Sequence, residues 1–219
     1  PLSNDFQLVT KDIINQISTQ TKAIFLCSPN NPSGNSFRRE DILTLLQSFT
    51  GLVVIDEAYI DFSTQKSLVS DLSYYPNLII TQTLSKAYGL AGIRLGICIA
   101  SEEIICILNK IKPPYNINSL TQERAISALE DWYTTQGQVT QLIAERKDLF
   151  AQLEKISFVE KVYPSDANFL LVRVDDADKR YTQLIQNDIV VRNRSKQVGC
   201  ENCLRFSVGT PQENQILIE

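Results

Sequence analysis

Three short polar stretches contain residue types that could carry out chemistry. They are residues 28–34 (SPNNPSG), residues 56–59 (DEAY) and residues 83–86 (TLSK), and each directly follows an apolar or β-branched run. Taken singly, each stretch is also an ordinary turn, helix cap or solvated surface segment. Taken together, they supply an amine, a carboxylate, an amide and several hydroxyl groups.

This combination matches the needs of pyridoxal phosphate. That cofactor requires a lysine for a Schiff base, an acidic partner for its pyridine nitrogen, and donors for its phosphate and phenolic oxygen. Lys86 is the candidate lysine, and Asp56 is the candidate that keeps the ring nitrogen protonated. The chain contains no histidine, so Lys86 is also the natural base for moving a proton across the substrate carbon.

The other contacts of the cofactor have candidates in the same stretches and just after them. Asn31 and Tyr59 would donate hydrogen bonds to the phenolic oxygen. Ser85 and Arg94 would bind the phosphate, Arg94 as a planar donor that is always charged. The sequence therefore predicts a cofactor site built from loops.

The elements that must position these loops are predicted strands separated by helices. Four runs are buried-strand length and apolar on both faces, as in a parallel sheet covered by helices: residues 23–27, 52–55, 78–81 and 95–100. Helical periodicity appears at residues 38–49 and 102–111. Ligands of open α/β sheets bind outside the carboxyl ends of the strands, so the three stretches should meet at one edge.

The pattern changes after Pro113-Pro114. Helices are predicted at residues 120–133, 138–156 and 176–187, and strands at residues 158–163, 168–174, 189–192 and 203–207. We therefore expect an α/β chain in which residues 1–117 form part of a larger domain with a mostly parallel sheet. Residues 118–219 would form a smaller α+β domain.

Composition excludes several classes of function. The net charge of -4 gives no basic surface for nucleic acid, and no apolar run is long enough to span a membrane. The first residues lack the pattern of a signal peptide, so we expect a cytoplasmic protein. The absence of histidine excludes Ser-His-Asp and Cys-His catalysis from this chain.

Cysteine and glycine spacings point to no further cofactor. Five cysteines do not indicate a disulfide framework, and the Cys200-x-x-Cys203 pair has no second pair or histidine to complete a zinc site. We expect no metal and interpret this pair as incidental, with thiol redox chemistry or metal binding as the alternatives. The glycines at 89, 92 and 96 do not match a dinucleotide fingerprint, and no P-loop is present.

Longer motifs make the chain resemble the fold-type-I pyridoxal-phosphate aminotransferases. The broad family is indicated by CSPNNPSGN (27–35), VVIDEAYIDF (53–62) and TLSKAYGLAGIRLG (83–96). The branch that acts on histidinol phosphate is indicated by KPPYNINSLTQ (112–122), YPSDANFLLVR (163–173), IVVRNRS (189–195) and CLRFSVGTPQEN (203–214). These motifs extend over nearly the whole chain in the family's order.

The resemblance assigns a role to each matching residue. It implies Lys86 as the Schiff-base lysine, with these cofactor contacts: Asn31, Asp56, Tyr59, Thr83, Ser85 and Arg94. It also implies that Arg205 binds an anionic group of the substrate and that Arg192 helps with a substrate phosphate. Arg194 lies two positions from Arg192 and competes for that assignment; surface arginines beside strands are the alternative for Arg192 and Arg205.

The resemblance further implies a homodimer, and a preceding segment that completes the phosphate cup and stacks on the cofactor ring. We therefore expect this chain to correspond to only part of such an enzyme.

The leading function is transamination between a small-molecule amino donor and a keto acid. It would convert histidinol phosphate and 2-oxoglutarate to imidazole-acetol phosphate and glutamate, reversibly, in histidine biosynthesis. The alternatives are an aromatic amino-acid aminotransferase and a phosphothreonine decarboxylase. A more distant alternative is a non-catalytic, aminotransferase-like sensing domain of a regulator.

Overall fold

The computed structural model describes residues 1–219, which form seven α-helices and eight β-strands. The first half contains α1 (Thr10–Gln16), β1 (Ala23–Cys27), α2 (Arg39–Ser48), β2 (Leu52–Asp56), β3 (Leu78–Thr83), β4 (Gly96–Ala100) and α3 (Glu102–Ile111). The second half contains α4 (Ser119–Glu130), α5 (Trp132–Leu153), β5 (Val159–Val162), β6 (Phe169–Val174), α6 (Ala177–Gln186), β7 (Arg192–Asn193), β8 (Cys203–Ser207) and α7 (Pro211–Ile218).

The first sheet has the strand order β1-β2-β3-β4. Strands β1, β2 and β3 are parallel, but β4 runs antiparallel to β3, with Thr83 opposite Gly96. The prediction of a mostly parallel sheet is confirmed, and the antiparallel fourth run is the exception. A parallel return needs a crossover that is usually a helix, and the loop from β3 to β4 contains only a 3-10 turn at Ala91–Ile93.

The core of the first half lies between this sheet and α2. Helix α2 buries Ile42, Leu45 and Leu46 against Ile55 and Ile80 of the sheet. Asn77 precedes β3 and donates to the backbone carbonyl oxygens of Leu46, Phe49 and Gly51. This amide fixes the end of α2 to the start of β2 and β3.

The second sheet is antiparallel, with the order β5-β6-β8-β7. One of its faces packs on α5, where Leu170, Leu204 and Phe206 contact Leu149 and Leu153. The alternate residues of β6 and β8 face the other way, as the two-residue period of a strand requires. That second face carries Phe169 and Arg205.

Two differences from the predicted boundaries in the second half stand out, at the junction of α4 and α5 and at β7. Helices α4 and α5 are separated only by Asp131, whose backbone (φ -92°, ψ 45°) interrupts the helix. The strand predicted at 189–192 is reduced to Arg192–Asn193. The reason is that Ile189 N–H still bonds to Leu184 O of α6, and Asp188 makes a left-handed turn (φ 62°). The break between α3 and α4 coincides with the proposed domain boundary near residue 118, which stays a prediction.

Candidate active site

The carboxyl ends of β1, β2 and β3 bring the three polar stretches to one edge of the first sheet. Cys27 is paired with Asp56, and Asp56 is paired with Thr81, so β1 and β2 end level and β3 extends two residues further. Ser28 N–H bonds to Asp56 O, and Glu57 N–H bonds to Thr81 O. The prediction that the stretches meet at one edge is confirmed.

Asp56 is the last residue of β2 and its side chain is exposed at this edge. Its Oδ1 accepts hydrogen bonds from Ala58 N–H (3.1 Å) and the Thr81 hydroxyl (3.3 Å). None of the three ion pairs of the structure includes it. The carboxylate is therefore oriented by neutral donors, and its charge is free to act on a bound cation.

Lys86 lies on the loop that follows β3 and is exposed. Its Nζ is 5.2 Å from the centroid of the Tyr59 ring, and Tyr59 itself is buried. The neighbours Leu84 and Ala87 are buried, which fixes the backbone on either side of the lysine. Lys86 makes no ion pair, so its amine is available for reaction.

A second group of hydrogen-bond donors lies at the two ends of the same loop, which joins β3 to β4. The Thr83 hydroxyl lies 3.0 Å from the Ser85 hydroxyl, accepts from Ser85 N–H (3.1 Å) and donates to Leu95 O (3.2 Å). Arg94 has a left-handed backbone (φ 56°), and its Nη1 donates to Ala91 O at 2.8 Å. A positive φ in a non-glycine residue is uncommon and marks a constrained position.

Asn31 and Arg205 connect this edge to the second sheet. Arg205 Nη1 donates to Asn31 Oδ1 at 2.7 Å. The guanidinium of Arg205 also lies over the Phe169 ring, 4.8 Å from its centroid. Phe169 in turn packs edge-on against Tyr59, with the ring centroids 5.2 Å apart and the planes at 86°. Asn31, Arg205, Tyr59 and Lys86 are thus linked by a chain of contacts through Phe169.

Two further arginines lie near Arg205 in the second sheet. Arg192 lies opposite Arg205 in the β7–β8 ladder, and Arg194 N–H bonds to Cys203 O one step further along. Burial lowers the pKa of Arg205, and the charges of Arg194 and Arg192 lower it further, while Tyr59 opposes the shift. The Nε atoms of Arg194 and Arg205 are buried without a hydrogen-bond partner. Unpartnered guanidinium nitrogens beside like charges are a site for an anion.

Arg194 contributes to the charge around Arg205. The sequence offered it only as a competitor of Arg192. Its charge acts on Arg205 more strongly than that of Arg192. Strand β7 ends at Asn193, and Arg194 follows it directly.

Other features of the molecule lie away from this edge. An apolar cleft of about 430 Å³ is lined by Leu204 and Phe206, on the opposite face of the second sheet from Arg205. Cys200 and Cys203 are buried free thiols, and burial raises the pKa of both, that of Cys200 to about 11. No group of His, Cys, Asp and Glu side chains could hold a metal ion, and none of the helices is long and apolar enough to cross a membrane.

The donor set at the edge fits pyridoxal phosphate. Asp56 offers an unpaired carboxylate for a protonated ring nitrogen, and Lys86 offers a free amine. Hydroxyl groups and a guanidinium, the ligands of a phosphate, lie on a loop whose two ends are joined by the hydrogen bond from Thr83 to Leu95 O. The carboxylate thus lies at the end of β2, and the amine and the phosphate ligands lie at the end of the neighbouring β3 and on the loop after it.

Comparison with known proteins gives one consistent family. The family model for aminotransferase class I and II matches residues 1–219. A histidinol-phosphate aminotransferase of Flavobacterium johnsoniae is 58% identical over 218 residues, covering 100% of this chain and 62% of that protein. The chain thus spans less than two thirds of the length of this relative.

Two solved structures share the fold. The crystal structure of the histidinol-phosphate aminotransferase from Clostridium acetobutylicum has a TM-score of 0.92 at 28% identity, covering 99% of this chain and 67% of that one. The L-threonine-O-3-phosphate decarboxylase from Porphyromonas gingivalis has a TM-score of 0.80 at 26% identity, covering 95% of this chain and 66% of that one.

Proposed function

Since this chain belongs to the class I and II aminotransferases, we propose that it is part of an enzyme that transfers an amino group from histidinol phosphate to 2-oxoglutarate, reversibly, in histidine biosynthesis. The observation that carries this proposal is the 2.7 Å hydrogen bond from Arg205 to Asn31. It joins a group of unpaired arginines to the edge that holds Asp56 and Lys86. An amino substrate with an anionic group fits between these two parts.

Pyridoxal phosphate is the cofactor of this family, and when bound it supplies an aromatic ring that withdraws electrons from the substrate carbon. Asp56 maintains a negative charge beside the ring nitrogen and so keeps that nitrogen protonated. The Asn31 amide N–H₂ and the Tyr59 hydroxyl donate to the phenolic oxygen. Asn31 has this donor available because its oxygen is the atom that Arg205 engages.

The phosphate of the cofactor is held by Ser85 and Arg94, with the Thr83 hydroxyl as support. Thr83 already orients the Ser85 backbone and hydroxyl. The side chain of Arg94 reaches only the backbone oxygen of Ala91 among protein groups, so its remaining N–H groups are available to an anion.

In the proposed reaction Lys86 Nζ would act as the base that takes the proton from the substrate carbon and holds it for return. No carboxylate pairs with Lys86, so its amine is not held in an ion pair. Arg205 binds the anionic group of the substrate and thereby fixes the substrate carbon relative to Lys86. Arg192 and Arg194 supply the further positive charge that a phosphate dianion needs.

The active enzyme is proposed to be a homodimer in the cytoplasm. Large apolar side chains are exposed along α3, α4 and the start of α5, including Ile111, Leu120 and Tyr133 at 72%, 77% and 84%. Such a surface is typical of protein contacts.

Borohydride reduction tests the cofactor site. The full-length protein is incubated with pyridoxal phosphate, reduced, digested and mapped, and the label is expected on Lys86. The Lys86→Ala variant should lose the label, whereas Lys11→Ala, an exposed lysine of α1, should keep it. Label on any other lysine of the wild type, or none, would overturn the assignment.

Substrate choice is tested by single-turnover spectroscopy with histidinol phosphate, phenylalanine and phosphothreonine. Of the three substrates, we expect histidinol phosphate to be transaminated with the largest kcat/KM. The decarboxylase remains the second candidate because of the structural similarity to the P. gingivalis enzyme. Release of carbon dioxide from phosphothreonine at a higher kcat/KM would favour it instead.

A further inference from the structure

Arg146 is a buried cation that no carboxylate neutralises. It lies on α5, its relative exposure is 7%, and it takes part in none of the ion pairs. Its Nη1 donates to Phe62 O at 3.3 Å and to Ala167 O at 2.6 Å. Burial lowers the pKa of Arg146, and the charge of Asp166 opposes this only in part. A charge held this way is unfavourable unless its position has a use.

The two carbonyl groups that Arg146 binds belong to the two halves of the molecule. Phe62 ends the 3-10 helix that follows Tyr59 in the first half. Ala167 precedes Phe169 by two residues in the second half. Arg146 therefore holds the backbone segments that carry Tyr59 and Phe169 at a fixed separation.

Tyr59 and Phe169 each lie beneath a cation of the site. Lys86 Nζ is 5.2 Å from the Tyr59 ring centroid, and the Arg205 guanidinium is 4.8 Å from that of Phe169. The two rings pack edge to face in one buried cluster that also contains Ala87, the neighbour of Lys86. The separation of the rings therefore sets the separation of the two cations.

We propose that Arg146 is a positioning residue that fixes the distance between Lys86 and Arg205, and with it the place of the substrate carbon relative to the amine. This inference rests on the proposed function of Lys86 and Arg205. Arg146 touches neither cofactor nor substrate.

A purely structural role fits these contacts less well. The two halves are also joined without Arg146, because Asp166 N–H bonds to Gly34 O (2.7 Å) and Ser36 N–H bonds to Asp166 Oδ2 (3.2 Å). An apolar side chain at position 146 would fill the joint without burying a charge. Such a side chain could not donate hydrogen bonds to both Phe62 O and Ala167 O.

The test compares Arg146→Met and Arg146→Lys in the full-length holoenzyme, with Lys147→Met as the matched control on the exposed face of α5. Borohydride label on Lys86 and the Tm are recorded for each. We expect Arg146→Met to keep the label and to lose about 10- to 100-fold in kcat, the range expected for a small misplacement of reacting groups. Arg146→Lys, which can donate to both carbonyls, should recover most of the loss, and Lys147→Met should behave as wild type.

A double-mutant cycle with Arg205→Lys separates positioning from general damage. If Arg146 acts through Arg205, the loss caused by Arg146→Met should be clearly smaller in the Arg205→Lys background than in the wild type. Additive losses, no recovery in Arg146→Lys, or a lower Tm with unchanged kcat and KM would each overturn the proposal. If Arg146→Met does not fold, Arg146→Gln, which keeps one hydrogen-bonding group, is used instead. Unchanged kcat and KM in Arg146→Gln would also overturn the proposal.

A binding measurement tells this failure apart from failure of the proposed function. The dissociation constant of inorganic phosphate for the holoenzyme is measured by calorimetry in wild type, Arg146→Met and Lys147→Met. Weaker binding in Arg146→Met alone supports positioning of Arg205 whether or not the enzyme is a transaminase. Equal phosphate binding in all three proteins refutes the positioning role of Arg146. The proposed function is refuted if the wild type shows neither label at Lys86 nor turnover.

Discussion

Arg205 and Asn31 are 174 residues apart in the chain, yet the Arg205 guanidinium donates to the Asn31 amide oxygen at 2.7 Å. This bond makes one side chain serve two purposes. The oxygen of Asn31 holds Arg205, the proposed substrate arginine, so in the proposed site the Asn31 N–H₂ group would face the cofactor. A change at either residue should therefore affect substrate and cofactor together.

Replacing Arg205 tests the substrate side of this link. Arg205→Lys retains the positive charge but loses the planar guanidinium, so it can no longer form bidentate hydrogen bonds to an anionic group. We expect kcat/KM to fall by about 10- to 100-fold, mostly through KM, as measured by steady-state kinetics with histidinol phosphate. Arg124→Lys, an exposed arginine of α4, serves as the control. An unchanged KM for both substrates would remove Arg205 from the site.

Replacing Asp56 tests the electrostatic role at the ring nitrogen. Asp56→Ala should still accept the cofactor on Lys86, because the amine and the phosphate ligands remain. Loss of the negative charge should lower kcat by about 100- to 1,000-fold. Rapid-mixing spectroscopy of the first half-reaction measures this, with Asp148→Ala on the exposed face of α5 as the control. Wild-type rates in Asp56→Ala would contradict the assignment.

The ion pair of Asp175 and Arg180 makes a prediction about acid stability. Two hydrogen bonds of 2.9 and 2.7 Å from Arg180 lower the pKa of Asp175 from 3.8 to about 2. Because the pKa is lower in the folded state, the stabilisation is present above pH 4 or so and is lost as the pH falls towards 2. Asp175→Asn should therefore lower the Tm at pH 7 but bring it close to wild type near pH 2.

Thermal unfolding of both proteins at several pH values measures this convergence. Asp188→Asn, at an exposed turn, should show no comparable pH-dependent difference from wild type. A gap between Asp175→Asn and wild type that stays constant down to pH 2 would contradict the linkage.

The cysteines should differ in reactivity. Cys200 and Cys203 are almost fully buried, and burial raises the pKa of Cys200 to about 11, whereas Cys106 is exposed. Since the thiolate is the reactive form, iodoacetamide at pH 8 should modify Cys106 well before Cys200 and Cys203. Mass mapping of the native protein measures the order, and the unfolded protein, in which all three react, is the control. Early modification of Cys200 would favour the redox alternative for this pair.

Strands that consist of an apolar run bounded by turn residues were predicted well from the sequence. The predicted limits of β1 and β8 match the structure, and those of β2 differ by one residue. Helix α1 was not predicted, since Val9 precedes it and offers no side-chain cap. The single-residue break at Asp131 also escaped, because helical periodicity does not locate an interruption that short.

The local part of the site was predictable from sequence, and its long-range part was not. Asp56 ends β2, and Lys86 and Arg94 lie on the loop after the adjacent β3, so topology places them at the same edge. The contact from Arg205 to Asn31 depends on how two sheets pack, which residue spacing does not encode. Arg146 did leave a signal: it continues the apolar stripe of Val139, Ile143 and Leu149 on α5, where a charged residue is unexpected.

The antiparallel direction of β4 has a consequence for how tightly a ligand can be held. Lys86 and Arg94 lie on one loop that connects β3 to the adjacent β4. Because these two strands are paired, the sheet fixes both ends of the loop. The conformational entropy of closing this loop is therefore lost when the protein folds, and not when the ligand arrives. Such preorganisation raises affinity without any added contact.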